Sequence, residues 1–330
     1  MGVPKETWTP RSSGTQAWLA KRRPGRVARW LAPFVTLAVF LFAAKLWRSA
    51  RYSPALDKSK TGQGGKYTIM TMTYAARASL VEDFVRHYSR CSLDSLDSIL
   101  VVWNGDEDSL HASVDVDQIL AASHVPVRFR LEKVPSMNNR YKVDELVRTD
   151  ALLSMDDDLR LDCGSVERAF HTWQRAQDSV VGWFPRLVTA DGSYLGEPET
   201  IQRGEYNMIL SGAAIFDHKQ YFPSYWAPEL SEMRLMVDNL WNCDDILFNY
   251  VVASGGGVTI YDRAESLVDL SSTTGVGISH DEAAFISKAE QCISVFHKHF
   301  TWPLRPRKFD FSKKLAPVCD ERVSKLFCVY

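Results

Sequence analysis

The stretch Ala151-Leu-Leu-Ser-Met-Asp156-Asp157-Asp158-Leu159 sets three carboxylates in a row at the end of a short apolar run. Such a run, stopping abruptly in acid, reads as a buried strand that delivers its charges to a sheet edge. Adjacent like charges repel and cost desolvation, so a cationic group is expected to offset them. Hard oxygen ligands of this kind suit Mg²⁺, Mn²⁺ or Ca²⁺ and not zinc. Taken alone, an acid triplet reads equally well as a solvated turn, and the surrounding chain has to decide.

A chain of 330 residues has room for one large or two small domains, and an apolar share of 45% with 12% aromatics is ample for a packed core. A net charge of −1 lacks the basic footprint of a nucleic-acid binder. The average hides an asymmetry, because residues 1–66 are basic and the remainder is mildly acidic. Trp30 to Ala44 carries no charge, and Leu46 and Trp47 extend it if Lys45 snorkels. This is a short but usable spanning helix, with interfacial Trp30 and Trp47 at its ends and Pro33 tolerated in its first turn. A cleaved signal peptide would have a shorter apolar region and a small-x-small cleavage site. The expected order is a basic tail over 1–29, a single-pass anchor over 30–47 and a polar, glycine-ended stem over 48–66. Within about fifteen residues of the uncharged run Trp30–Ala44, Lys and Arg number five on each side, so charge does not orient it. All six cysteines (Cys91, Cys163, Cys243, Cys292, Cys319 and Cys328) follow the stem, an even number compatible with disulfides in an oxidising compartment. No CxxC spacing suggests a zinc ribbon, and no glycosylation sequon is present.

Beyond the stem the pattern alternates. Tyr67–Thr73, Ile99–Trp103, Val125–Leu131 and Ala151–Met155 read as strands, with a helical stripe over Ala78–Tyr88 between the first two. Strands separated by helices predict βαβ units, an α/β fold and a mainly parallel sheet, whose ligands sit beyond the carboxyl ends of the strands. Thr73 with Tyr74, Asn104, and Asp156–Asp158 all fall at those ends, which turns the triplet from a stray turn into a candidate site. Ser165 is the expected cap of a helix with the core stripe Val166, Ala169, Phe170 and Trp173. Val180–Phe184 reads as another strand. In Ser211-Gly212-Ala213-Ala214 the small residues suit either close backbone approach to a ligand or tight packing. Asn242-Cys243-Asp244-Asp245 opens a helix closed by Gly255, and the helix dipole alone favours acid there, so a structural role is the simpler reading of Asp244 and Asp245. Residues 305–330 read as a poorly patterned tail after a domain over 67–304.

In order and spacing these segments resemble the exostosin-like glycosyltransferases of family 64. The resemblance runs from about Tyr67 to Pro303. It rests on Thr73-Tyr74 with Arg77, Val101-Val102-Trp103-Asn104, Asn139-Arg140, Leu153-Ser154-Met155-Asp156-Asp157-Asp158, Phe170-x-x-Trp173, Val181-Gly182, Tyr206-x-Met208-x-Leu210-x-Gly212-Ala213-Ala214, and Asn242-Cys243-Asp244-Asp245-Ile246-x-x-Asn249. It implies a GT-A, Rossmann-like nucleotide-diphospho-sugar transferase domain, a UDP-sugar donor and a divalent cation, Mn²⁺ or else Mg²⁺. The triplet falls on the family's DxD position, which implies that Asp158, with Asp156, ligates the metal and that Asp156 and Asp157 hold ribose and sugar groups. Thr73, Arg77, Asn104, Asn139 and Arg140 would line the nucleotide pocket, closed by Gly212 and Ala213. Asp245, with Asp244 beside it, matches the catalytic acidic position. Cys243 and Cys292 match a family disulfide, which implies a lumenal domain of a single-pass type II protein of Golgi or ER membrane.

Two departures stand out. The family's Thr-Tyr-Asn-Arg is here Thr73-Tyr74-Ala75-Ala76-Arg77, one residue longer, and an arginine of animal members has no equivalent near His280-Asp281-Glu282, with Lys288 misplaced for it. The expected activity is retaining transfer of a hexosamine, or otherwise a hexose, to a glycan or glycolipid. The alternative is a catalytically silent relative that binds a partner transferase. A two-metal hydrolase would need further ligands, and His171, His218, His280, His297 and His299 form no such set. Oligomeric state, homo- or hetero-, is left open.

Overall fold

The computed structural model describes residues 65–91, 94–271, 281–301, 303–310, 318–319 and 328–329. The expected tail and anchor, and the stem up to residue 64, lie outside the described residues, and among the described residues no helix is long and apolar enough to cross a membrane.

Seven strands make the central sheet: β1 (Tyr67–Thr73), β2 (Leu96–Trp103), β3 (Val127–Leu131), β4 (Ala151–Met155), β5 (Ser179–Gly182), β6 (Ala213–Asp217) and β7 (Val258–Tyr261), in the order β7-β5-β6-β4-β1-β2-β3. Every neighbouring pair is parallel except those made by β6, which runs antiparallel to both β4 and β5. The sheet is therefore mixed, within an α/β fold, and one reversed strand separates it from the fully parallel case.

Alternation along the strands divides the core in two. Ile69, Ile99, Val101 and Leu153 point to one face, and Met70, Leu100, Val102 and Leu152 to the other. Helices α1 (Ser79–Ser89) and α2 (Cys163–Gln174) cover the first face through Val81, Phe84, Val85 and Tyr88, and through Val166, Ala169, Phe170 and Trp173. Helices α3 (Ser231–Leu240), α4 (Asp244–Ser254) and α5 (Glu282–Phe300) lie with the second. Removing Phe84, which is fully buried, would cost about 3–5 kcal/mol by transfer and cavity terms together.

Helix α2 starts earlier than expected. Its cap is Asp162, whose carboxylate accepts from the Ser165 N–H at 2.8 Å and from the Ser165 hydroxyl at 2.6 Å. An ionised acceptor outcompetes a hydroxyl for the cap, and Ser165 becomes the capped residue. At the far end Arg307–Lys308 pairs antiparallel with Glu205–Tyr206, and Phe309 packs 4.8 Å from the Tyr206 ring.

Candidate active site

Moving outward from β1, the chain adds β2 and β3 on one side and then returns to add β4 on the other. Such a reversal of strand order opens a crevice beyond the carboxyl ends of the two central strands. Thr73 ends β1, and Asp156 follows β4 directly. Because β6 is antiparallel, with Ala213 opposite Met155, the residues just before it reach the same edge. Thus Ser211 and Gly212 arrive beside the acid triplet from a distant part of the chain.

The three acids have different surroundings. Asp157 is 2% exposed, with Thr73 Oγ1 donating to its Oδ2 at 2.6 Å and Arg77 Nη2 at 2.5 Å from its Oδ1. The same Arg77 nitrogen lies 2.5 Å from Asp158 Oδ2, so one guanidinium bridges two carboxylates. Arg77 stands on a single 3₁₀ turn, Ala75–Arg77, and the extra residue in this segment still delivers it to the triplet. Burial, the Asp156 charge and other neighbours push the Asp158 carboxyl up to about 6, against the pull of Arg77. Asp157 is raised as well, mainly by burial. Asp156 is the open member, with 41% of its side chain exposed, and it accepts from Arg140 Nη2 at 2.6 Å.

Gly212 makes the Asp156 position available. A Cβ there would lie 2.6 Å from the Asp156 Cγ and 2.7 Å from its Oδ1. The Asp156 N–H also donates to the Gly212 carbonyl at 2.6 Å, fixing the two segments together. Ala213 itself is fully buried in β6.

Arg140 connects the triplet to the second acid pair. It is 6% exposed, donates to Ser154 Oγ at 2.9 Å and to Asp156, and has its Nε 3.7 Å from Asp244 Oδ2. Tyr141 donates to Asp244 at 3.1 Å and shares a 2.6 Å hydrogen bond with Ser211. Asp245 is half-buried, and its carboxyl is pushed up to about 7 by burial and then by Asp244, with Arg186 opposing. Asp244 is raised too, mainly by burial. Asn139 sits behind this layer at 1% exposure, its amide donating to Asn104 at 2.7 Å and to the Val134 carbonyl at 3.0 Å. It braces Asn104, which is the residue of the two nearer the surface.

The loop before α4 explains how Asp244 and Asp245 are presented. Trp241 and Cys243 adopt left-handed backbone, φ 49° and 77°, a conformation that costs non-glycine residues about 1–2 kcal/mol each. Two fastenings hold them there: the Cys243–Cys292 disulfide, and the Asn242 amide donating to the Phe285 carbonyl at 3.1 Å. A second disulfide, Cys91–Cys163, joins the ends of α1 and α2 on the other side of the sheet.

All the predicted site residues except the brace Asn139 and the packed Ala213 therefore meet at one edge. Sequence reading missed Tyr141 and Arg160, and it named Ser154 and Ser211 only as members of longer stretches, with no role of their own. Arg160 lies two residues past the triplet and donates to the Asp157 carbonyl at 2.7 Å, so proximity was its available signal. Tyr141 carries no motif of its own. Among the described residues no cluster of three or more His, Cys, Asp or Glu is placed to hold a metal ion. Asp156 and Asp158, each met by an arginine through one oxygen, supply two hard oxygen donors, the chemistry that a divalent ion would need.

Residues 67–315 match the glycosyl transferase family 64 domain. Over 238 residues, 71% of this chain, the sequence is 36% identical to the glucosamine inositolphosphorylceramide transferase 1 of Oryza sativa subsp. indica. That match spans 31% of the length of the rice protein. Identity to the glycosylinositol phosphorylceramide mannosyl transferase 1 of Arabidopsis thaliana is 30% over 281 residues, 81% of each chain. Identity to exostosin-like 2 of Homo sapiens is 28% over 223 residues, 64% of this chain and 66% of the human one.

Proposed function

The chain belongs to glycosyltransferase family 64, and from that premise we propose that it is a metal-dependent, retaining glycosyltransferase. It moves a sugar, a hexosamine first and otherwise a hexose, from a UDP-sugar to a glycan or glycolipid acceptor. The observation that supports this most directly is the bridge by Arg140 from Asp156 to Asp244 at the reversal point of the sheet. It links a diphosphate-side acid cluster to a second acid pair across one crevice. Two relatives whose names carry glucosamine or mannosyl transfer onto an inositolphosphorylceramide make a glycolipid the first acceptor class to test.

Asp158 and Asp156 are the residues that would hold Mn²⁺ or Mg²⁺. Such an ion, when bound, supplies Lewis-acid stabilisation of a departing diphosphate. The chain's own groups do the rest. Asp156, open to solvent, accepts hydroxyls of the donor, and Asp157 keeps Arg77 in place. Arg77, Asn104 and Arg140 line the nucleotide side. Asp245 exchanges its proton near neutral pH, so it can polarise an acceptor hydroxyl or stabilise positive charge developing on the sugar.

The two disulfides support a lumenal domain in an oxidising compartment, with residues 30–47 as the anchor of a type II Golgi or ER membrane protein. Finding Cys243 and Cys292 as free thiols in native protein would contradict that placement. The activity test is nucleotide release by the full chain in detergent, with Mn²⁺ and a panel of UDP- and GDP-sugars, beside Asp158→Ala. Release from one donor that disappears in the variant is expected. Mn²⁺-dependent nucleotide binding that Asp158→Ala leaves unchanged would overturn the assignment.

A further inference from the structure

The crevice opens at the carboxyl edge of the central sheet, and the two ends of that edge carry exposed groups that the site does not use. At one end Lys133, Val134 and Pro135 follow β3 and are all exposed, Val134 at 76%. Ser136, next in the chain, donates to Asp238 on α3 at 2.5 Å, and Asn138 donates to the same carboxylate at 2.8 Å. Leu235, 60% exposed, stands one turn before Asp238, and Trp241, 46% exposed, follows it by three residues. Val134, Leu235 and Trp241 are thus gathered around Asp238. The group adjoins the crevice twice, because Asn104 donates to the Ser136 carbonyl at 3.3 Å and Trp241 precedes Asp244 by three residues. Trp241 also takes left-handed backbone at the end of α3, where glycine or asparagine is the usual residue. A large indole kept exposed at a strained position points to a use for the ring outside the fold.

At the other end β7 finishes at Tyr261, whose ring meets Phe309 at 5.3 Å. β7 is parallel to β5, and β6 is antiparallel to both β5 and β4, so β7 and β4 run the same way. Tyr261 therefore lies at the edge where Asp156 emerges. Phe309 fixes the strand Arg307–Lys308 there, in register with Glu205–Tyr206. Arg305, Arg307 and Lys308 are exposed, as is Arg203 at the end of the helix Glu197–Arg203. Glu205, opposite Lys308, and Asp310 are the acids of these segments, so positive charge is in excess. Six strand spacings of about 4.8 Å put the two ends about 29 Å apart, with the crevice between them.

We propose that this edge docks on the surface of a lipid bilayer carrying anionic headgroups, with Val134, Leu235 and Trp241 entering the interfacial layer and Arg305, Arg307 and Lys308 facing phosphates. Exposed aromatic and aliphatic groups joined to a basic cluster are the combination that holds a protein in the interface plane. A soluble polyanion would satisfy the cations and leave the apolar end wet, so a bilayer is the partner that fits both. The stem expected over 48–66 joins the opposite edge at Tyr67. Its 19 residues extend to about 60 Å, against about 23 Å for β1, so an anchor in the same bilayer permits this orientation. Delivery of a glycolipid acceptor to the crevice rests on the function proposed above, whereas the docking itself does not.

The test is hydrogen exchange of the full chain in nanodiscs of phosphatidylcholine alone and of phosphatidylcholine mixed with phosphatidylinositol. In mixed discs residues 133–136, 239–241 and 305–308 should exchange at least about fivefold more slowly, the worth of one Lys or Arg near an anionic surface. The helix His218–Tyr225, which starts at the amino edge, should exchange alike in both. Arg305→Glu with Arg307→Glu should abolish the difference between the discs and leave Mn²⁺-dependent UDP affinity within about twofold. Trp241→Asn, which tolerates left-handed backbone, should lower the protection about fivefold, as expected for an apolar side chain half withdrawn from water. Equal exchange of wild type in the two discs, or wild-type protection in Trp241→Asn, would overturn the docking, as would the same slowing in His218–Tyr225. Slowing of the basic end by soluble heparin but not by discs would assign the cations to a free polyanion and overturn it too. Protection at both ends in a protein that fails to bind UDP would instead remove the transferase reading and leave the docking standing.

Discussion

Gly212→Ala should separate activity from stability more cleanly than any substitution of the acids themselves. The added methyl would overlap the Asp156 carboxylate, lying 2.6 Å from Cγ and 2.7 Å from Oδ1, closer than real Cβ atoms approach. Gly212 is tied to Asp156 by the 2.6 Å backbone hydrogen bond, so the side chain yields and not the strand. Asp156 then leaves Arg140 Nη2, a charge-assisted hydrogen bond worth about 1.5–3 kcal/mol when buried. Since 41% of the Asp156 side chain is exposed, screening reduces the stability cost to about 1 kcal/mol. For a domain of this size that lowers the melting temperature by about 2–4 °C. The catalytic cost is larger, because displacement of a positioning group by about 1 Å removes roughly 10²-fold in rate. The assay is kcat/KM for nucleotide release from the productive donor, beside thermal unfolding of the same preparation. Activity within about twofold of wild type would refute the reasoning, since Asp156 would then not be needed where this conformation holds it.

Two further outcomes follow from the same geometry. The Asp245 carboxyl rises from its ordinary value of 3.8 to about 7 on folding, and Asp244 shifts in the same direction, so both favour the protonated form in the folded state. Their contribution to stability is greatest at low pH and is lost as pH rises toward about 7, so metal-free protein should melt higher at pH 5.5 than at pH 8, and a flat or opposite profile counts against it. Replacing Cys243 and Cys292 together by serine opens a 49-residue loop and should cost about 4 kcal/mol in urea unfolding while releasing the left-handed turn before Asp244. The equivalent change at Cys91 and Cys163 should destabilise too but leave nucleotide affinity intact.

What could be read ahead of the structure was whatever a local pattern encodes. The apolar run before Asp156 announced β4 because a strand buried on both faces needs unbroken hydrophobicity, and the charges at its end announced the edge. Thr73 and Asn104 followed by the same logic. The direction of β6 did not follow, because alternation of side chains is identical in parallel and antiparallel strands. That reversal brings Gly212 to Asp156, so the reason for the glycine lay beyond sequence pattern. Arg186 was hidden for another reason: a strand of four residues is too short to show a period. Asn139 was legible by resemblance as a pocket residue, yet its amide is engaged inward, a matter of packing depth that composition does not carry.

Charge is the reason for proposing that a cation accompanies the donor into the crevice. Asp156, Asp157, Asp158, Asp244 and Asp245 are coupled to Arg77, Arg140 and Arg186, five carboxylates against three guanidinium groups. Arg77 is already shared between two acids and Arg140 between two others, so neither is a free anion receptor. A diphosphate entering alone would meet a field of its own sign. The raised carboxyls of Asp158 and Asp245 register the same excess from inside the protein, through burial joined to like charge. A divalent ion arriving with the nucleotide would neutralise that excess and free part of each arginine to face phosphate oxygens. The cluster is thus balanced for a metal–nucleotide pair in a way that it is not for either component, and UDP affinity should rise with Mn²⁺ by more than the solution affinity of the two for each other explains. Equal UDP binding with and without the ion would show that the arginines had released their acids unaided.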